Sequence, residues 1–288
     1  MTYQNNSEHL GKPGMLSAPL DPQTLHLSNY IDFDLFQNVP SQIDWTTKKI
    51  TPWGAMGNKN LADCTVAAAG HMIECWTSNV QNDCALNDQA VLTAFIALTG
   101  YDPVTGENDK AVHLSDTLKY WRKIGIGHHK INSYAIIDHT NKNVLKTALY
   151  IFGGLYAGIN LPNSVHGKIL WDVVPGELTG DNAPGSLGGH VVALLAYDEE
   201  YLTFISWGKV KKMTWNFLKT YGESIYAIIA EDFIKGNKTP LGFNLNTLQL
   251  DLEKIANLKN KTTMEAGRGG TKGGGSEMEA GSAGGAVA

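Results

Sequence analysis

The period of the apolar residues changes once along this chain, near Gly153, and that change separates a helix-forming front half from a strand-forming back half. The first long helix is predicted to open at Cys64, where Asp63 is a suitable N-cap and the Ala-rich run CTVAAAGHMIECW follows without a proline. Two more helices, about Asn87 to Thr99 and Ser115 to Ile124, are expected to stop at Gly100 and Gly125, and a fourth covers about Asn143 to Phe152. Beyond Gly153 the segments GGLYAGINL, HVVALLAY, YLTFISW and SIYAIIAEDF read as strands, the middle two separated only by Asp198, Glu199 and Glu200. The expected fold class is therefore α+β, with helices in front and a mainly antiparallel sheet behind.

Composition narrows the function classes. A chain of 288 residues with 43% hydrophobic content can bury one sizeable core, or one core with a small appendage. A formal charge of −5, with no basic cluster beyond Lys209, Lys211 and Lys212, gives no attraction for phosphate backbones or anionic lipid. Neither nucleic acid nor a membrane surface is an expected partner. The longest apolar stretch, Thr147 to Leu161, is broken by Gly153, Gly154 and Gly158 and is too short to span a bilayer. The segment from Met1 to Asp34 has no basic and apolar pattern of the signal-peptide kind. Three cysteines, Cys64, Cys75 and Cys84, cannot form a disulfide framework and leave at least one free thiol, which suits the cytoplasm or another reducing compartment.

Changes in composition divide the chain further. Residues 1–37 read as an extended arm, 38–236 as the main domain, and 237–262 as a C-terminal helix, with Leu245, Leu248, Leu252, Ile255 and Leu258 at helical spacing. Residues 263–288 are glycine-rich with almost nothing apolar to bury, and are expected to be disordered. No internal repeat at a fixed period is present.

Two residues stand where chemistry would use them. Cys64 falls at a helix N-terminus, where unpaired N–H groups and the positive end of the dipole favour a thiolate, and a neighbouring imidazolium favours it further. His190 opens a strand directly after Gly188 and Gly189, which allow another backbone to approach. A lone cysteine at a helix start is most often a small buried hydrophobe, and a lone histidine opening a strand is usually structural. A cleft between the helical and sheet halves would bring the two together.

Four stretches, in order, resemble the papain-like cysteine peptidases over roughly Val39 to Ile234. The run VPSQIDWTTKKITPWGAMGN is similar to the opening of such domains; NKNLADCTVAAAGH places Cys64 at the nucleophile, with Asn58 six residues earlier where the family has an oxyanion glutamine. LKTALYIFGGLYAGINL is similar to the helix and strand before the histidine, and GGHVVALLAYDEEYLTFISWGKVKKMTWNF carries His190, a Ser-Trp-Gly motif at Ser206, Trp207 and Gly208, and the later Trp215. The resemblance implies a two-lobe domain that hydrolyses peptide or amide bonds through a thioester. Cys64 would be the nucleophile, His190 the acid and base, and Asn58 with the Cys64 backbone amide the oxyanion donors; Trp207 and Trp215 would shield the histidine. A peptide or protein is the implied substrate, and no metal or cofactor is required.

Three positions depart from the family pattern. Ile205 aligns with the asparagine that orients the histidine, Asn58 is one methylene shorter than glutamine, and Thr65 follows the nucleophile in place of tryptophan. The flanking Ser206 reads as structural, and a group outside the motif would have to orient His190. His71, seven residues along the Cys64 helix, lies about 10.5 Å away along the axis and cannot pair with the thiol. His128 and His129 lack a third ligand at ordered spacing, His166 sits in a Gly- and Pro-flanked segment, and Cys75 and Cys84 read as buried thiols. Two other functions fit the same residues: a peptidoglycan amidase or endopeptidase, whose Asp-Cys and Gly-His-Val motifs are similar, and a non-enzymatic binding or structural protein, for example in a phage or virus particle.

Overall fold

The computed structural model describes residues 11–17, 24–29, 31–33, 39–80, 86–234 and 238–240. The expected C-terminal helix, the glycine-rich tail and Cys84 lie outside the described residues. In chain order the elements are β1 (Met15–Leu16), β2 (Ile43–Asp44), α1 (Cys64–Val80), α2 (Asp88–Thr99), β3 (Val112–His113), α3 (Leu114–Lys123), β4 (Ile131–Ile137) and α4 (Lys142–Phe152). They continue as β5 (Leu155–Leu161), β6 (Leu170–Trp171), β7 (Gly188–Tyr197), β8 (Tyr201–Ser206), β9 (Lys209–Thr214), α5 (Trp215–Tyr221) and β10 (Gly222–Ala230).

All four expected helices form within a residue or two of their expected ends. The Asn87 and Asn141 side chains cap α2 and α4, and Gly100 and Gly153 close them in the left-handed conformation. The front half also holds something the apolar pattern does not announce. The segment INSYAII forms β4, which crosses to the sheet and pairs antiparallel with β10. Trp215, outside the expected strands, opens the short helix α5, with Thr214 capping it through Phe217 N–H.

The fold is α+β. Its sheet runs in the order β4-β10-β5-β7-β8-β9-β6, antiparallel except for the β6–β9 pair. Helix α1 packs along β7 at the centre of the molecule. Its first thirteen residues, Cys64 to Trp76, are all buried, as a helix enclosed on every side requires. Its alanines and Gly70 keep it slim enough; a Cβ on Gly70 would lie 2.5 Å from the Met56 sulfur.

Aromatic residues tie the helices to the sheet. Trp76 of α1 stacks on Trp121 of α3 at 5.8 Å, and Trp121 meets Tyr156 of β5 edge-on at 6.2 Å. Tyr156 Oη donates to the Thr65 carbonyl at 2.7 Å, beside Cys64, so the start of α1 is pinned to the sheet. Trp121 is fully buried between these partners. Trp121→Ala is expected to cost about 3–5 kcal/mol by emptying that space, read as a lowered urea midpoint with an unchanged slope.

Candidate active site

Helix α1 delivers Cys64 to the edge of β7. The thiol is fully buried, and the backbone amide of Val191, next to His190, faces its sulfur. His190 is the third residue of β7, paired with Ile159 of β5, and is also fully buried. The backbone of β7 next to His190 thus reaches Cys64, while His190 Nδ1 has no hydrogen-bond partner among the described residues. Asn58 joins them from the turn before α1: it is buried, and its Nδ2 donates to the Leu61 and Lys12 carbonyls, each at 3.0 Å.

Lys12 belongs to the N-terminal arm, which runs through the site. Gly11 lies against the Trp207 indole, and Lys12 N–H donates to the Asn58 carbonyl at 3.0 Å. Gly14 N–H donates to Gly189 O at 3.1 Å, and Gly14 O accepts from Val112 N–H at 2.9 Å. Strand β1 then pairs with β3 in parallel and, at Met15 opposite Gly189, with β7 in antiparallel fashion. Only glycine fits at two of these passes. A Cβ on Gly14 would sit 1.9 Å from the Ala62 carbonyl oxygen, and one on Gly11 would sit 2.0 Å from the Trp207 ring. The Met15 side chain enters an apolar recess beside Gly158 and Leu114.

This packing reverses the expected electrostatics of the thiol. Burial pushes the Cys64 pKa up to about 12, against a smaller lowering by the Val191, Gly14 and Thr65 backbone amides. Burial, aided by the Lys211 ammonium, pulls His190 down to about 3. Thiol and imidazole are thus both neutral near pH 7 with the arm in place, and the thiolate expected at this helix N-terminus does not form. Desolvation by burial outweighs the helix dipole.

Asp63 also differs from expectation. Its backbone carbonyl accepts from Val66 and Ala67 N–H, but its side-chain oxygens are buried and accept no hydrogen bond, so it does not cap α1 through its carboxyl. The nearby Asn58 amide has its hydrogens committed to Leu61 and Lys12 and offsets only part of the burial, which raises the Asp63 pKa to about 8. Where it ionises, its charge adds to the raising of the Cys64 thiol pKa.

The histidine ring is held by Ser206, which the sequence reads as structural, and by Trp207, which it reads as a shield. Nε2 lies 2.8 Å from Ser206 Oγ, and the ring stacks on Trp207 at 4.7 Å. Trp207 and Gly208 form the two-residue corner between β8 and β9 and have φ of 53° and 75°. A left-handed conformation is costly for a tryptophan, and the corner holds its indole flat against His190. Trp171 of β6, which composition and spacing do not mark, meets the His190 ring edge-on at 6.4 Å and packs on Trp207 at 5.9 Å. Trp215 does not share this wall. It packs on Tyr197 at the other end of β7, donates to Asp198 O at 3.1 Å, and carries Lys142 over its ring.

The remaining candidates are structural. His71 is buried and within 3.1 Å of the Gly54 carbonyl, and burial lowers it to about 4; His129 contacts Asp232 at 2.8 Å. His166 lies on an exposed turn, Cys75 is buried, and no cluster of three or more metal-ligating side chains occurs among the described residues.

Comparison with known proteins gives a fold and no sequence relative. No protein-family model and no curated protein matches the chain. Among solved structures, xylellain, a cysteine protease from Xylella fastidiosa, aligns at 14% identity and TM-score 0.57, covering 79% of this chain and 99% of that one. Procathepsin L2 from Tenebrio molitor larval midgut aligns at 13% identity and TM-score 0.54, covering 79% and 81%. Procathepsin B from Trypanosoma congolense aligns at 12% and 0.53, covering 76% and 86%. The fold is that of the papain-like cysteine proteases. Within the papain-like fold, the α1–β7 junction is where this chain places Cys64 and His190.

The raised Asp63 pKa carries a stability signature. A carboxyl with a folded pKa near 8 and an unfolded value of 3.8 holds its proton in the fold, so its contribution is complete below pH 3.8 and is lost as pH rises to about 8. The isosteric Asp63→Asn chain lacks that loss. Its urea stability relative to the unaltered chain is expected to grow between about pH 4 and 8 and level off above; a pH-independent difference would contradict a buried neutral acid.

Proposed function

We propose that the chain is a cysteine peptidase that hydrolyses peptide bonds through a Cys64 thioester. The observation that supports this most is the arm itself: an extended polypeptide segment lies between the Cys64 helix and the His190 strand, with one of its carbonyls on the Asn58 amide. A cleft that takes polypeptide backbone in this way is suited to a peptide substrate once the arm has left it.

The chemistry follows from the three groups. With the arm displaced, water reaches the site, the desolvation cost falls, and the Cys64 proton passes to His190. The sulfur attacks the substrate carbonyl, forming a C–S bond, and the oxyanion is held by Asn58 Nδ2 and the Cys64 backbone N–H. His190 returns the proton to the departing amine as the C–N bond breaks. Water, deprotonated by His190, then attacks the thioester, releasing the acid and restoring the thiol. Asn58 takes the oxyanion role only when its amide is no longer occupied by Lys12.

In the closed form this chemistry is switched off, since the thiol is buried and its pKa lies near 12. Valine at position 14 cannot fit against the Ala62 carbonyl and displaces the arm. Treatment with a peptidyl epoxide, read by intact-mass spectrometry, is expected to label Gly14→Val chains stoichiometrically and at least about tenfold faster than the unaltered chain. Adding Cys64→Ala or His190→Ala is expected to abolish labelling. If the folded Gly14→Val chain reacts no faster than an ordinary thiol and is indifferent to His190→Ala, the peptidase reading fails and a binding protein on this fold is left.

A further inference from the structure

We infer that Ser206 is the positioning residue for His190, its hydroxyl accepting the Nε2–H so that Nδ1 is the nitrogen left to exchange a proton with Cys64. The inference rests on the peptidase reading only for its kinetic consequence; the Ser206–Nε2 contact stands on the geometry, and the placement of the proton is the inference. Ser206 Oγ and His190 Nε2 are 2.8 Å apart in a site where both residues are buried, and Nδ1 has no hydrogen bond among the described residues.

Strand register explains why position 206, and not 205, carries this function. β8 pairs with β7 so that Phe204 lies opposite Leu194 and Ile205 opposite Ala193. Successive side chains alternate between faces, so Ser206 and Phe204 share the face of Leu194, Val192 and His190, while Ile205 points with Ala193 to the other. Trp171 confirms that shared face by touching both Phe204, at 4.5 Å, and the His190 ring. An asparagine at 205 would reach the wrong side of the sheet. The apolar residue there removes nothing from the histidine.

Trp207 and Trp171 fix the plane of the imidazole but offer it no acceptor, so the ring's rotation within that plane depends on Ser206. A hydroxyl both donates and accepts. With neutral imidazole it accepts from Nε2–H, and with imidazolium it accepts the same hydrogen while Nδ1–H faces the thiolate. The charged and titratable groups acting on the ring are Lys211 from β9, over Trp207 at 5.6 Å, and His71 along α1. None of these replaces the Ser206 contact.

The full-length chain, uniformly 15N-labelled, provides a test independent of activity. Two-bond proton–nitrogen correlation of the imidazoles is expected to show His190 with its proton on Nε2 in the unaltered chain and in Ser206→Thr. In Ser206→Ala the Nε2–H form is expected to lose its dominance, whereas Ile205→Val leaves the spectrum unchanged. A proton on Nδ1 in the unaltered chain, or an unaltered tautomer in Ser206→Ala, would overturn the inference. The first of these needs no variant to fold.

Epoxide labelling in the Gly14→Val background separates this inference from the function. Ser206→Ala is expected to slow labelling about 10- to 100-fold, the cost of a mispositioned catalytic group, and to alter its pH profile, with Ser206→Thr restoring both. Unchanged labelling in Ser206→Ala, while His190→Ala abolishes it, would sink Ser206 and keep the peptidase. No labelling in any Gly14→Val chain would sink the peptidase, and the tautomer would still decide Ser206.

Discussion

The packing of α1 against β7 is the contact on which everything else depends. Cys64 and His190 are 126 positions apart in sequence, and no local interaction could hold them in register. Their meeting is set by a helix whose first thirteen residues are all enclosed and by a strand buried from His190 to Tyr197. The Tyr156 bond to Thr65 and the Trp76–Trp121 stack fix the helix along its axis, so the position of the sulfur is determined by the core and not by a surface loop.

The same enclosure sets the chemistry. A helix N-terminus favours an anion by up to about 2 kcal/mol in partly buried geometries. The rise of the Cys64 pKa from 9.0 to about 12 corresponds to roughly 4 kcal/mol in the opposite sense. Desolvation therefore wins, although Gly14 of the arm lies beside the thiol and its backbone lowers the pKa slightly. The path of the arm is cut to glycine: at Gly11 and Gly14 the backbone passes where no side chain fits, between Trp207 on one lobe and Ala62 on the other. Lys12 adds an ion pair to Asp109, which also accepts from Ala62 N–H just before the nucleophile.

Much of this was legible in the sequence, because helices advertise their ends. The Asn87 and Asn141 caps, the Gly100 and Gly153 stops and the buried run after Cys64 all follow local rules. Cys64 and His190 were singled out by a helix start, two glycines and the ordered family resemblance. The arm was not: GKPGM has no periodicity, and its contacts are backbone bonds to residues more than forty positions away. β4 was missed because INSYAII is only seven residues long and lies among helices, where short apolar runs are ambiguous. Trp171 carried no signal, since its partners His190, Phe204, Trp207 and Phe217 are brought to it only by the β6–β9 pairing.

Position 205 is instructive because the matter there turns on one residue. A motif aligned along the chain ignores the faces of a strand, whereas a side chain's reach depends on little else: a shift of a single position exchanges the buried face for its opposite. Judged by sequence, the chain lacks the group that orients its histidine. Judged by register, the face of β8 that looks toward His190 presents Phe204 and Ser206, one packing on Trp171 and the other meeting Nε2. The apolar Ile205 then needs no functional explanation, since it is buried on the side of the strand where an apolar side chain belongs. A departure from a family motif is therefore weak support for lost chemistry until the strand that carries it has been given a face.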